Sequence, residues 1–179
     1  MAKKQAIIDA AAVLFAEEGY HGATLAKLGE RLGITKSAVL YHFTSKDALL
    51  DAMLTPVTVA HTAYIAGFDR VPDSLEGRVD VIRGLMGLYA EHRQVCLALQ
   101  NDRLLWGHSA VEKPMSENYA NILRLLCGPG ASPDCELRAH AALLVAFRAG
   151  TIGLDMSGAV DDEQCVEDTL RLCADILKS

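Results

Sequence analysis

The sequence predicts an all-α protein, on the basis of three observations. Apolar residues recur at intervals of three and four along almost the whole chain, which is the spacing of one helix face. No convincing stretch shows the alternating pattern of a half-buried strand followed by a hairpin turn. The 179 residues are 51% hydrophobic, which is enough to bury a sizeable core. We expect an N-terminal domain of three helices at 1–47 and a helical bundle at 48–179.

The first three helices are short and have clear start and stop signals. The first is expected over 3–18, with Gly19 as its C-terminal stop, because glycine adopts the left-handed conformation that ends helices. The second opens at Thr24, a good N-cap residue, and closes at Gly33. The third is expected over about 36–42.

The remaining helices are longer. The fourth begins after Ser45, and Pro56 is expected to kink it or end it early. Asp73 with Glu76 then resembles a capping box, which predicts a helix over about 75–92. Further helices are expected near 94–106, 113–127, 134–156 and 162–178.

The charge is unevenly distributed along the chain. The net charge is −6, but residues 1–47 carry six cationic against five acidic side chains, whereas the rest carries 11 against 18. This division suits a protein that contacts phosphate at one end and repels it elsewhere. The longest apolar stretches are interrupted by charged residues, and the N-terminus lacks the pattern of a signal peptide. We therefore expect a cytoplasmic protein with no membrane partner.

The segment 24–43 is the most informative part of the sequence. It contains two short helices joined by a glycine turn. Gly29 is expected to let the helices cross closely, at a cost of about 1 kcal/mol in helix propensity, and Gly33 to supply the positive φ of the turn. The apolar residues expected to hold the pair together are Leu28, Leu32, Ile34, Val39 and Leu40.

The second helix of this pair has a polar outer face. It begins with Thr35, Lys36 and Ser37, followed by the small Ala38, so its N-terminus could approach base edges in the major groove of DNA. Phosphate contacts are expected from Lys36, Tyr41, His42 and Lys46, and from the capped helix starts at Thr24 and Ser45. The alternative is a helical hairpin of an ordinary helical protein.

Short motifs in about the first 50 residues carry a family resemblance. They are Ile8-Asp9-Ala10-Ala11, Leu14-Phe15, Glu18-Gly19-Tyr20, Thr24, Gly33-Ile34-Thr35-Lys36 and the run from Leu40 to Leu49. On these motifs the sequence resembles the tetracycline-repressor (TetR) family of regulators. The resemblance implies a homodimer that binds a pseudo-palindromic operator and releases it when a small-molecule effector binds the C-terminal domain. By position, it implies DNA contacts from Thr24, Thr35, Lys36, Ser37, Ala38, Tyr41, His42 and Lys46. The sequence departs from the family at Leu28-Gly29, where isoleucine-alanine is usual, and at Ala38, where glycine or another small residue is common.

The same resemblance implies that the last two long helices, near 134–156 and 162–178, pair with their copies in a dimer. Small residues on the first of these helices would permit close approach. They are Ala139, Ala141, Ala142, Ala146, Ala149, Gly150 and Gly153. A helical bundle within one chain is the alternative.

A ligand pocket needs a few polar or aromatic side chains in an apolar wall. The candidates are Tyr89, His92, Asp102, Trp106, Asn118, Tyr119 and Arg148. A buried Arg148 needs a partner, which could be Asp102, Asp155 or an anionic ligand. The histidines at 61, 108 and 140 lack metal-ligand spacing, so we expect neither a metal nor a cofactor.

Two other functions compete with a ligand-responsive regulator. An enzyme would need a catalytic pattern that the sequence lacks, so we expect none. A redox-responsive regulator could use the five cysteines, which otherwise predict reduced thiols. Cys165 and Cys173 are two turns apart, so about 12 Å of axial distance forbids a bond between them within one helix. An intersubunit disulfide stays open, as do the operator, the effector and the choice between repressor and activator.

Overall fold

The computed structural model describes residues 2–102, 105, 112–152 and 163–178. Over these ranges the chain forms α-helices and no strand, as the sequence predicts. The helices are α1 (Ala2–Gly22), α2 (Leu25–Leu32), α3 (Lys36–His42), α4 (Lys46–Ala66), α5 (Leu75–Glu91), α6 (Arg93–Asn101), α7 (Glu112–Cys127), α8 (Pro133–Ile152) and α9 (Glu163–Leu177). Four residues named above, Trp106, His108, Gly153 and Asp155, lie outside the described ranges.

The chain divides into two compact units. The first comprises Met1–Val59 and Gln94–Pro114, and the second comprises Ala60–Arg93 and Met115–Ser179. Helix α4 therefore contributes residues to both units. The functional boundary at residue 47 stays a prediction, since these units reflect packing and not independent folding.

The first unit is built around the apolar face of α1. Ile7, Leu14 and Phe15 are buried, together with Leu28 of α2 and Val39 of α3. This burial supplies most of the favourable free energy that short helices lack on their own.

Two helix boundaries in this part of the chain differ from expectation. Gly19 interrupts α1 with a φ of 72°, as a C-terminal stop would, but one more helical turn follows and ends at Gly22. Pro56 does not end α4, which continues to Ala66. Leu54 and Val57, two residues before and one residue after the proline, are buried, and this packing compensates for the hydrogen bond that proline cannot donate.

Helix α4 is long and apolar enough to cross a membrane by length and composition alone. This is weak evidence, because the core helix of a soluble protein passes the same test. Leu49, Leu50, Met53 and Leu54 of α4 are buried inside the protein.

The second unit packs α5, α8 and α9 against one another. Helix α5 is capped by Ser74, whose hydroxyl accepts a hydrogen bond of 3.0 Å from the N–H of Gly77, so the predicted cap at Asp73 is wrong by one residue. Gly150 of α8 lies so close to α5 that a Cβ there would be 2.9 Å from the carbonyl oxygen of Met86.

The small residues of α8 therefore have a different role from the one predicted. Five of the seven residues proposed as a dimer surface are buried within the chain, namely Ala139, Ala142, Ala146, Ala149 and Gly150. They allow close approach, as expected, but the approach is to helices of the same unit. The apolar side chains that α8 and α9 leave exposed are leucines: Leu137, Leu144 and Leu172.

Candidate nucleic-acid interface and candidate ligand site

Helices α2 and α3 form a tight hairpin, as the sequence predicts. The hydroxyl of Thr24 accepts a hydrogen bond of 3.2 Å from the N–H of Lys27 and caps α2. Gly33 ends α2 in the left-handed conformation, with a φ of 65°. A Cβ on Gly29 would lie 2.6 Å from the carbonyl oxygen of Ile34, so only glycine fits this crossing without a shift of the backbone.

Helix α3 presents its polar face to solvent. The hydroxyl of Thr35 caps it by accepting a hydrogen bond of 3.1 Å from the N–H of Ala38. Lys36 and Ser37 are exposed, and Tyr41 is 86% exposed. The ring of Tyr41 meets the ring of His42 edge to face at 5.3 Å. This arrangement leaves the first turn and the outer face of α3 open to a major groove.

Fewer of the apolar residues that were predicted to hold α2 and α3 together are buried than expected. Leu28 and Val39 are buried and Leu32 is half-buried, but Ile34 and Leu40 are 36% and 38% exposed. Ile34 lines a groove together with residues of α1 and of the hairpin. Ile34 and Leu40 are therefore only partly buried, and their contribution to holding the hairpin together stays a prediction.

The cations of this unit differ in their availability to phosphate. Lys27 forms an ion pair with Glu18, and Arg31 forms one with Glu17, both of α1. Lys36 has no ion-pair partner among the described residues. It is therefore available for an anion at the start of α3.

Lys46, predicted to contact phosphate, has other partners within the unit. Its ammonium donates hydrogen bonds to the carbonyl oxygens of Tyr20 and Ala23, the second at 2.7 Å, and lies 4.1 Å from the centre of the Tyr20 ring. Burial lowers the pKa of the Lys46 ammonium, while the charges of Asp47 and Asp102 act in the opposite direction. The side chain thus joins the start of α4 to the end of α1.

Asp102, predicted to line a ligand pocket, also belongs to the first unit. Its carboxylate accepts a hydrogen bond of 2.7 Å from the N–H of Tyr20, at the kink that Gly19 introduces. The neighbouring Asn101 donates a hydrogen bond of 3.0 Å to the carbonyl oxygen of Ala16. This contact occupies one carboxylate oxygen of Asp102, and the predicted roles of Asp102 in a ligand pocket and as a partner of Arg148 stay predictions.

Two of the ligand candidates lie in the interior of the second unit. Tyr89 is 8% exposed, and its ring lies 5.0 Å from that of Phe147. Asn118 is 3% exposed and donates a hydrogen bond of 3.0 Å to the hydroxyl of Thr62.

The sequence analysis missed His61 as a ligand candidate, although it lies beside Tyr89 at a ring distance of 5.9 Å. It is 3% exposed, and neither ring nitrogen has a hydrogen-bond partner among the described residues. Burial lowers the pKa of His61 to about 4, so the imidazole is neutral at pH 7. The available signal was a histidine in the otherwise apolar and threonine-rich stretch 52–65, and the prediction used it only to argue against a metal.

The remaining ligand candidates are less enclosed. His92 is the half-buried C-cap of α5. The hydroxyl of Tyr119 contacts Nδ1 of His140 in an exposed pair between α7 and α8. One guanidinium nitrogen of Arg148 is buried without a hydrogen-bond partner among the described residues. Trp106 lies outside them. In the described part of the chain, no group of three or more His, Cys, Asp or Glu side chains could hold a metal ion.

A capped hairpin with an exposed polar second helix, at the head of an all-helical chain, defines a DNA-binding transcriptional regulator of the helix-turn-helix class. Comparison with known proteins gives the family. Residues 7–53 match the model of bacterial regulatory proteins of the tetR family.

The similarity to known proteins extends beyond residues 7–53. The chain is 32% identical over 155 residues to the tetracycline repressor protein class A from transposon 1721 of Escherichia coli, covering 87% of this chain and 68% of the relative. It is 28% identical over 173 residues to the class C tetracycline repressor of Escherichia coli, covering 96% and 74%. A solved TetR-like regulator from Rhodococcus sp. RHA1 has the same fold, with a TM-score of 0.67 and 20% identity over 97% of this chain and 92% of that one. The chain belongs to the TetR family.

Proposed function

We propose that this chain is a repressor that binds operator DNA as a homodimer and releases it when a small molecule binds in the second unit. The proposal of DNA binding rests on the close crossing of α2 and α3 at Gly29, because this crossing fixes α3 rigidly with its polar face outward. The relatives described above are named as repressors, which supports repression over activation for this chain. The protein would act in the cytoplasm, where its DNA is, and would need no catalysis of its own.

Contacts with DNA divide into two groups. Thr35, Lys36, Ser37 and Ala38 form the first turn of α3 and would approach base edges. Tyr41 and His42 at the end of α3, with the α2 cap at Thr24, would hold phosphates. Lys46 would contribute indirectly, by fixing the start of α4.

Dimerisation would use the outer faces of α8 and α9. Leu137 and Leu144 are 69% and 61% exposed and lie seven residues apart, which places them on one side of α8. Leu172 on α9 is 45% exposed. Pairing of these faces with their copies would bury apolar area that the single chain leaves in water.

The effector would bind near His61, Tyr89 and Asn118. A buried neutral imidazole that lies beside the ring of Tyr89 and has no hydrogen-bond partner among the described residues is costly unless something supplies a hydrogen bond. An effector with an apolar body and a polar group that bonds to this imidazole would remove that cost. Arg148, which has one buried guanidinium nitrogen without a partner in the described part of the chain, is a further candidate contact.

The first test measures binding of the DNA upstream of the chain's own gene by fluorescence anisotropy at several salt concentrations. Tyr41→Ala changes a side chain that is 86% exposed, so it should leave folding intact and weaken binding about tenfold or more. Lys36→Ala should weaken binding, whereas the control Lys178→Ala, an exposed lysine of the second unit, should not. If both Tyr41→Ala and Lys36→Ala bound DNA as tightly as the parent protein, the placement of the interface on α3 would be contradicted.

The second test concerns release. A thermal-shift screen of small molecules identifies compounds that stabilise the protein, and each hit is then tested for release of DNA. His61→Phe should abolish the shift with such a compound while DNA binding is retained. An unchanged shift in this variant would place the effector elsewhere.

A further inference from the structure

A groove lies between the start of α1 and the end of α3, and we call it the α1–α3 groove. It has a volume of about 550 Å³. It is lined by Lys3 and Ala6 of α1, by Ile34 of the turn between α2 and α3, and by Tyr41 and His42 of α3, among others. All of these residues belong to the first unit, so the groove is a feature of one compact part of the chain.

A contact between a cation and an aromatic ring joins the two helices that form this groove. The ammonium of Lys4 lies 5.3 Å from the centre of the ring of Phe43, which is the buried C-cap of α3. This attraction holds the first turn of α1 beside the end of α3. Lys3, the neighbour of Lys4, lines the groove, whereas Lys4 does not. The two adjacent lysines therefore have different surroundings.

The charge and polarity of the α1–α3 groove match those of a DNA strand. Of the eight residues that line it in the described part of the chain, five are apolar and none is acidic. Lys3 is exposed, and no ion-pair partner of Lys3 lies among the described residues. A free cation beside apolar side chains is complementary to a strand whose phosphates are anions and whose deoxyribose rings present C–H groups.

The groove is also continuous with the candidate DNA interface. Tyr41 and His42, for which phosphate contacts are proposed above, line both surfaces. Their rings meet edge to face at 5.3 Å, so they form one continuous wall. A strand whose phosphates these two side chains hold therefore lies at the α1–α3 groove. Of the occupants that an apolar groove can take, a DNA strand is the one that the neighbouring interface favours.

We propose that the α1–α3 groove binds a sugar-phosphate strand of duplex DNA, with Lys3 as a phosphate ligand and with Ala6 and Ile34 against deoxyribose rings. This inference rests on the proposed function, and it adds the start of α1 to the DNA-contacting elements. Phosphates and sugars are the same at every base pair, so the groove adds affinity and orients α3 on the duplex without adding sequence preference. Lys4 acts as a positioning residue through Phe43.

The first experiment compares the two adjacent lysines in the full chain. Fluorescence anisotropy measures binding of the DNA upstream of the chain's own gene, and of a scrambled duplex of the same length, at several salt concentrations. Lys3→Met should weaken binding to both duplexes and reduce the slope of log K against log salt by about 1 per subunit. Lys4→Met is the matched control and should leave the slope unchanged, because Lys4 does not line the groove.

The second experiment tests whether a strand occupies the groove or whether Lys3 acts only through long-range charge. Ala6→Leu fills part of the groove without changing the charge, and leucine is nearly as good a helix former as alanine. It should weaken binding to both duplexes several-fold. Gln5→Leu adds the same side chain one residue earlier, outside the groove, and should bind as the parent protein does. Lys3, Gln5 and Ala6 are exposed, so urea midpoints should stay close to that of the parent.

Hydroxyl-radical footprinting locates the contact on the DNA, because these radicals attack deoxyribose. The parent protein should protect a short run of sugars beside the bases that α3 contacts. At saturating protein, Lys3→Met and Ala6→Leu should lose protection at these sugars only.

The outcomes separate this inference from the proposed function. A parent protein that binds neither duplex would remove both. If the parent binds but Lys3→Met keeps its salt slope, or if Ala6→Leu binds as tightly as the parent, only the assignment of the groove is overturned. If Ala6→Leu instead changes the sedimentation mass of the free protein, the groove is an interface between copies of this chain and the proposal is wrong.

Discussion

Lys46 offers the sharpest test of how the DNA-binding unit is held together. The sequence predicts a phosphate contact for this lysine, whereas the structure directs its ammonium to the carbonyl oxygens of Tyr20 and Ala23. Lys46→Met keeps the aliphatic stem and removes the charge. Hydrogen bonds to charged groups contribute about 1.5–3 kcal/mol each, and water can replace part of this at a half-buried site. We expect a loss of about 2 kcal/mol in the free energy of unfolding.

The assay combines urea unfolding, followed by circular dichroism, with the salt dependence of operator binding. Lys36→Met is the matched comparison, because Lys36 is exposed and has no ion-pair partner among the described residues. It should leave the urea midpoint unchanged and reduce the slope of log K against log salt by about 1 per subunit. Lys46→Met should instead lower the urea midpoint and leave the salt slope unchanged.

One result would refute this reasoning. If Lys46→Met left the urea midpoint unchanged and reduced the salt slope as much as Lys36→Met, the carbonyl contacts would have no energetic weight. Lys46 would then be a phosphate ligand, as the sequence predicts.

Three further predictions concern packing, pH and assembly. Gly29→Ala should destabilise by about 1 kcal/mol, because a Cβ 2.6 Å from a backbone oxygen costs more than helix propensity offsets, whereas Gly87→Ala in open space should stabilise by about 1 kcal/mol; equal urea midpoints would contradict this. The pKa of His61 is lowered to about 4 in the folded chain, whereas it is about 6.5 in the unfolded chain, so only the unfolded chain binds a proton as the pH falls below 6.5. The free energy of unfolding should therefore fall by about 2 kcal/mol between pH 7 and pH 5 relative to His61→Phe. Parallel pH profiles of the two proteins would exclude this. Leu144→Glu should give monomers in analytical ultracentrifugation, whereas Val59→Glu, at a residue 60% exposed on α4, should not; a dimeric Leu144→Glu would rule out this face.

The elements that could be predicted from sequence are those that local chemistry determines. Thr24 and Gly33 fix the ends of α2, and the hydroxyl of Ser45 accepts a hydrogen bond of 3.0 Å from the N–H of Ala48 at the start of α4, so these roles follow from spacing. The crossing at Gly29 was predictable for the same reason. The single-residue error at the start of α5 arose because Asp73 and Ser74 are both good caps, and only the backbone conformation decides between them.

The face of a helix that meets its own chain could not be predicted in the same way. The small residues of α8 indicated a close helix contact correctly, but spacing does not specify whether the contacting helix belongs to the same chain or to a copy. Gly150 lies close to Met86 of the same chain, so the buried face of α8 packs within the chain. The exposed leucines then mark the opposite face as the candidate dimer surface.

The contacts of Lys46 and Asp102 were the hardest to predict, because both side chains bind backbone groups, and no sequence pattern marks a backbone group as a partner. Their targets converge on the kink of α1, where Asp102 accepts from the N–H of Tyr20 and Lys46 donates to its carbonyl oxygen. The kink exists because Gly19 adopts a φ of 72°, which a side chain would strain. The residue that follows this glycine, Tyr20, thus presents its backbone N–H and its carbonyl oxygen to residues 82 and 26 positions further along the chain. The geometry of the DNA-binding unit therefore depends on backbone groups at the end of α1 as much as on the hairpin that carries the recognition helix.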